Sequence, residues 1–223
     1  MNNSTTTETK FCRDHDQSIR FAGSELSGQR HICAFFHSAD DEYRVVLPFI
    51  KDGFECGHKA FHVVDPKLCE EHRNRLKSAG IDVAAAEESD QLDLRNWDEV
   101  YLRDGRFDKD RMLGLLQEVL EGGREQGFAL TRMVAHVEWA LEKQPGVDDL
   151  VEYEARVNYI WPKQKDAVIC VYDLTKFGGH IVMDILRSHP MVLIGGIIQE
   201  NPFFVPPDEF LQELRERRAP RKK

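Results

Sequence analysis

No stretch of this chain approaches the roughly 20 consecutive apolar residues that a membrane-spanning helix needs. Its first ten residues, MNNSTTTETK, hold no apolar core of the kind a secretory leader carries. A cytoplasmic protein with no membrane partner is the expectation. Cysteine is sparse: Cys12, Cys33, Cys56, Cys69 and Cys170 are odd in number and include no CxxC pair, which argues against a disulfide scaffold and for reduced thiols. Positive charge is in deficit, with 30 Lys and Arg against 39 Asp and Glu and a net charge of -9. A surface of that sign repels a phosphate backbone, so nucleic acid is not an expected partner. The basic end RERRAPRKK is the local exception, and reads as a solvated tail or as a contact for an acidic partner. Internal repeats are also lacking.

What is present is an ordinary globular balance, 41% hydrophobic and 31% charged over 223 residues, enough for one domain with modest tails. The run His31–Phe36 suits a strand buried on both faces. Val45, Val46, Phe49, Ile50 and Phe54 then recur at helical spacing, with Ser38 or Asp40 as cap and Pro48 bending or dividing the helix. Residues 60–64 read as a second strand and 66–78 as a helix. Residues 81–86 and 99–102 are weaker strand candidates, and 108–126 is a long helix. Residues 129–137, with RMVAHV at 132–137, and DAVICVY, at 166–172, are strands separated by a helix over 148–158. A helix at 179–188, a strand at 191–194 continued by Ile197 and Ile198, and a final helix begun by Pro206-Pro207 complete the pattern. Strands alternating with helices at this spacing predict an α/β domain with a mostly parallel central sheet.

Ligands of open parallel sheets sit beyond the carboxyl ends of the strands. That rule nominates His37, Asp65, Glu87, Glu88, Glu138 and Asp173, one imidazole among carboxylates, with Tyr43, His136, Trp139 and Tyr172 as neighbours. Two readings stand side by side, a polar or metal-assisted pocket and ordinary capping groups at strand ends. Trp139 either walls an apolar ligand pocket or anchors the helix that follows. His136 and Glu138 share strand parity, as a functional pair or as a polar patch.

The first loop is more decisive. A phosphate-binding loop needs glycines to bare successive N–H groups, and a lysine to reach the phosphates. HSADDEYR has neither, and it adds Asp40, Asp41 and Glu42. Nucleotide hydrolysis is therefore disfavoured, and an enzyme is not expected. His31, Cys33, Cys56, His58, His62, Cys69 and His72 are ligand types, but their spacing follows no closed zinc pattern, so no metal is assigned. Cys170, inside a strand, reads as buried rather than as a nucleophile. No cofactor is identified.

Taken together, HICAFFHSADDEYRVVLPFIKDGFECGHKAFHVVD at 31–65, RMVAHVEWAL at 132–141, DDLVEYEARVN at 148–158, AVICVYDLTKF at 167–177, HPMVLIGG at 189–196 and NPFF at 201–204 resemble the MEDS sensory domains. That family is found in the regulator of dichloromethane dehalogenase and is similar to the KaiC and RecA-like ATPases. The resemblance implies a three-layer RecA/KaiC-like fold and a non-catalytic sensor of small molecules, hydrocarbon derivatives included. It places Asp173 where a Walker B carboxylate would lie, and Glu87 and Glu88 near the catalytic glutamates of the ATPases. It divides the chain into a flexible segment at 1–29, a sensory domain at 30–213 and a basic tail at 214–223. Such a stand-alone module is expected to bind a small organic ligand and to signal through a regulatory protein partner or through self-association. A ligand-independent interaction module, a residual KaiC-like ATPase and a metal-dependent enzyme are the alternatives.

Overall fold

A nearly unbroken apolar strand in the middle of a sheet must be covered on both sides, and the helices here supply two covers. The structure, a computed structural model, describes residues 19–26 and 28–219. In chain order its strands are β1 (Arg20–Phe21), β2 (Ser24–Glu25), β3 (His31–Phe36), β4 (Lys59–Val64), β5 (Leu92–Asn96), β6 (Thr131–His136), β7 (Ala167–Asp173), β8 (Met191–Ile194) and β9 (Ile197–Glu200). Its helices are α1 (Ala39–Glu55), α2 (Cys69–Ser78), α3 (Val83–Glu88), α4 (Trp97–Val100), α5 (Lys109–Glu125), α6 (Leu150–Val157), α7 (Gly179–Ser188) and α8 (Pro207–Arg218). The main sheet runs β5-β4-β6-β7-β3-β8-β9, and all its pairings are parallel except the β8–β9 hairpin.

Strand alternation sorts the core into two layers. Cys33, Phe35, Met133, Ala135, Val168 and Cys170 face α4, α5, α6 and α7. Ile32, Ala34, Phe36, Val134, Ile169 and Val171 face α1, α2 and α3. The result is the expected three-layer, mostly parallel α/β domain.

Several local expectations change. Residues 81–86 are not a strand: Val83–Glu88 is helical, because the Asp82 side chain accepts from the Ala85 N–H and caps a run of alanines, the best helix formers. Residues 99–102 are not a strand either. The strand is β5, whose alternating Leu92-Asp93-Leu94 pattern fits an edge strand only half covered. Pro48 does not divide α1, which is continuous from Ala39 to Glu55; the proline lies on the exposed side, where a missing helical bond is least costly.

Ile19, Phe21 and Leu26 are buried, and the Phe21 ring lies 5.1 Å from that of Phe49 on α1. The β1–β2 hairpin therefore packs against α1, so the described fold takes in residues that precede residue 30. At the other end α8 continues to Arg218, burying Phe210 and Leu214 against Val151 and Ala155 of α6, so residues 214–218 are helix. Cys33, Cys69 and Cys170 are free thiols.

Candidate functional site

The carboxyl ends of β4, β6 and β7 are adjacent in the sheet, and they bring together Asp65, His136, Glu138 and Asp173. Two residues not nominated above complete the group. Glu42, in the first turn of α1, reaches across to His136, with Oε1 3.0 Å from Nε2 and both side chains buried. Lys176, in the turn after β7, stands 3.2 Å from Asp173 and 3.7 Å from Glu138, and the Asp65 carboxylate also acts on it. Glu42 was detectable in principle: it lies on the same helical face as Val46, Phe49, Ile50 and Gly53, all buried, an odd place for a carboxylate without a partner.

The local backbone explains these positions. β3 and α1 are joined by only His37 and Ser38, and Ser38 caps the helix by accepting from the Asp41 N–H at 3.2 Å. The three acidic residues of that first turn are each paired, Asp40 with Arg75, Asp41 with Arg44 and Glu42 with His136. Asp65 caps the turn Pro66–Leu68 by accepting from the Lys67 N–H. Asp173 accepts from both the N–H and the hydroxyl of Thr175, which aims Lys176 back over the strand ends.

Burial alone would lower the His136 pKa, but the Glu42 carboxylate overrides it and the imidazole is raised to about 9. It is therefore an imidazolium at neutral pH. Burial raises the Glu138 carboxyl against the opposing pull of His136, and its Oε2 is buried with no hydrogen-bond partner. Burial also acts to raise Asp173, yet the Thr175 hydroxyl and N–H together with Lys176 hold it below the usual carboxylate range.

Beside this group runs a neutral relay between α1, α2 and β4. The Tyr43 hydroxyl lies 2.6 Å from His72 Nδ1, and His72 Nε2 lies 2.9 Å from His62 Nδ1. With Tyr43 donating to His72, and His72 in turn to His62, both imidazoles are satisfied without a charge. Burial, reinforced by the positive His136, pushes His62 down to about 3 and His72 well below its ordinary range. Burial likewise raises the Tyr43 hydroxyl.

The other nominated residues lie elsewhere. His37 is exposed at the mouth of the edge. Glu87 and Glu88 end α3 and precede β5 instead of following a strand, and Glu87 pairs with Arg73 on the surface. Tyr172 points to the opposite face of the sheet, where its hydroxyl donates to Glu154 at 3.0 Å. Trp139 is fully buried, stacked on Tyr101 at 4.6 Å and packed on Phe107 at 4.4 Å, within the core.

Two open depressions lie away from these residues. One, of about 300 Å³, lies between the end of α1 and α3, lined by Phe54, Ile81 and Ala85 among others. The second, of about 490 Å³, lies around Arg124, Lys163 and Asp166 near the start of β7. The second holds a single carboxyl raised by burial, that of Asp166, against several displaced groups at the strand edge, and such convergence is a better indicator of a site than volume alone.

Comparison with known proteins agrees with this architecture. A KaiC-like protein from the hyperthermophilic archaeon Pyrococcus horikoshii OT3 superposes with a TM-score of 0.53 at 13% identity, over 80% of this chain and 74% of its own, a likeness of fold. The transcriptional repressor DcmR of Methylorubrum extorquens is 24% identical over 169 residues. That match takes in 75% of this chain but 61% of the repressor, so the chain spans less than two thirds of its relative's length. The family described as the methanogen/methylotroph, DcmR sensory domain matches residues 30–190, and this chain, with its RecA/KaiC-like sheet, belongs to that MEDS family.

Proposed function

We propose that this sensory domain receives a small organic ligand at the carboxyl ends of β4, β6 and β7 and reports its presence through the position of α1. The observation that carries this reading is Glu138 Oε2, a buried carboxylate oxygen without a partner beside the charged His136–Glu42 pair. A buried acceptor left unpaired costs about 1–3 kcal/mol, which a donor on a ligand would recover. The ligand class is a small hydrocarbon derivative bearing a hydroxyl or amine group. Its donor group would draw Glu138 out of the field of His136, altering the pair that ties the first turn of α1 to β6. A regulatory protein partner or a second copy of the chain would receive the change.

Nucleotide is a poor fit for this edge. The two-residue connection from β3 to α1 is too short to wrap phosphates, and the first turn of α1 is already occupied by its own carboxylates. The test is native mass spectrometry of gently purified protein, followed by hydrogen exchange with a panel of one- to four-carbon alcohols and amines at saturating concentration. A bound member should protect residues 36–46, 136–141 and 173–178. Unchanged exchange there with every member, or selective retention of ATP with magnesium, would defeat the proposal. A ligand-independent interaction module is the second reading, favoured by Ile194, Ile197 and Phe203, which are at least half exposed near the β8–β9 edge. A stable complex formed equally well by ligand-free protein would favour it.

A further inference from the structure

On the face of the sheet opposite the ligand edge, four side chains from four elements converge in the dry core. His31 opens β3, Cys170 lies within β7, Glu154 projects from α6, and His189 stands between α7 and β8. All four are buried, and one ligand atom from each lies within 4.8 Å of the others. Glu154 Oε2 is 3.2 Å from His31 Nε2, 3.4 Å from His189 Nε2 and 3.7 Å from Cys170 Sγ. Cys170 Sγ is also 3.7 Å from His31 Nε2.

The surrounding hydrogen bonds determine which imidazole nitrogens face inward. Asn158 Nδ2 donates to the carbonyls of Glu154, Ala155 and Ser188, so its Oδ1 is the acceptor for His31 Nδ1–H at 3.0 Å. The Ile185 carbonyl, 2.8 Å away, likewise accepts from His189 Nδ1–H. In the neutral tautomers both Nε2 atoms then carry lone pairs aimed at one carboxylate oxygen, and His189 Nε2 is buried without a hydrogen-bond partner. Three sets of lone pairs then meet, and either a metal ion or a proton held between Glu154 and an imidazole satisfies them. Tyr172 donates to the second oxygen of Glu154, an outer contact of the sort that orients a ligating carboxylate.

We infer that His31, Glu154, Cys170 and His189 form a closed binding site for a divalent first-row metal ion, zinc in the first instance. Bonds of about 2.0–2.3 Å to N, O and S imply ligand-to-ligand edges of about 3.3–3.7 Å in a tetrahedron, close to four of the six separations here, while those from His189 to His31 and to Cys170 lie within 4.8 Å. Two neutral imidazoles, a thiolate and a carboxylate carry two negative charges, which a divalent ion cancels. Burial disfavours the free Cys170 thiolate, so metal binding would release its proton. The competing occupant is a proton shared between Glu154 and an imidazole.

The two occupants differ in spectrum and stoichiometry. Full-length protein, stripped with a chelator under reducing conditions, is titrated with cobalt(II). Saturation at one equivalent, with tetrahedral d–d bands in the visible and a thiolate-to-cobalt band in the near ultraviolet, supports the site. Cys170→Ser should remove the near-ultraviolet band, whereas Cys69→Ser, a change at the partly exposed free thiol, should leave it intact. Should Cys170→Ser fail to fold, X-ray absorption on zinc-loaded wild type replaces it, with two nitrogens, one oxygen and one sulfur expected. Failure to retain one equivalent of cobalt or zinc, or a first shell without sulfur, would overturn the inference. Its outcome is independent of the ligand edge across the sheet.

Discussion

Replacing Glu42 with Gln would isolate the contact that joins α1 to β6. In the wild type the His136 imidazole moves from an ordinary 6.5 to about 9 on folding. That difference corresponds to about 3 kcal/mol of stabilisation. The sign follows from the raised value: the folded state binds the proton more tightly, so the contribution is complete below 6.5 and is lost as pH climbs through about 9. Urea unfolding of the wild type at intervals from pH 6 to 10 should therefore show stability falling across that window by about 3 kcal/mol more than in Glu42→Gln. At pH 6 the variant should be less stable by a similar amount. NMR titration of His136 gives the direct readout, with a midpoint near 9 in the wild type and, without its carboxylate partner, a midpoint displaced downward by burial. Parallel stability curves for the two proteins, or an unchanged His136 midpoint, would refute the reasoning.

Other consequences can be measured in the same way. His62, held near 3 by burial, must gain a proton on unfolding below 6.5, so acid should remove up to about 5 kcal/mol between pH 6.5 and 3, and His62→Gln should flatten that limb in acid titration by circular dichroism. Trp139→Ala should cost about 3–5 kcal/mol in urea unfolding, because the ring is buried between Tyr101 and Phe107. Gly146 has φ +88, and an added Cβ would come within 2.2 Å of the Phe107 carbonyl oxygen. Gly146→Ala should therefore lower stability by about 2 kcal/mol or more, read as a fall in Tm. Gly53→Ala would gain about 1 kcal/mol in helix propensity. Its Cβ would fall 2.8 Å from Arg132 Cδ, however, in a side chain held by Phe49, Asp52 and His58, so a net loss is expected in the same assay.

Local sequence determined most of the framework of this protein. HICAFF and AVICVYD are strands because unbroken apolar runs need cover on both faces, and of the residues at helical spacing Val46, Phe49 and Ile50 mark the buried side of α1. The lack of glycine and lysine in HSADDEYR already disfavoured a phosphate cradle. The ends of β4, β6 and β7 were readable too, though that of β5 was not, and Asp65, His136, Glu138 and Asp173 converge because those three strands are neighbours. Strand order was not readable, since it depends on pairings between segments far apart in the chain. That order, with the pleat of the sheet, sends Tyr172 to one face and His136 to the other. Only tertiary structure brings Glu42 to His136, 94 positions away, and sets Glu154 against His31 across 123 positions. A buried charge depends on such a partner, and the sequence marks the unlikely burial of the charge without naming what will neutralise it.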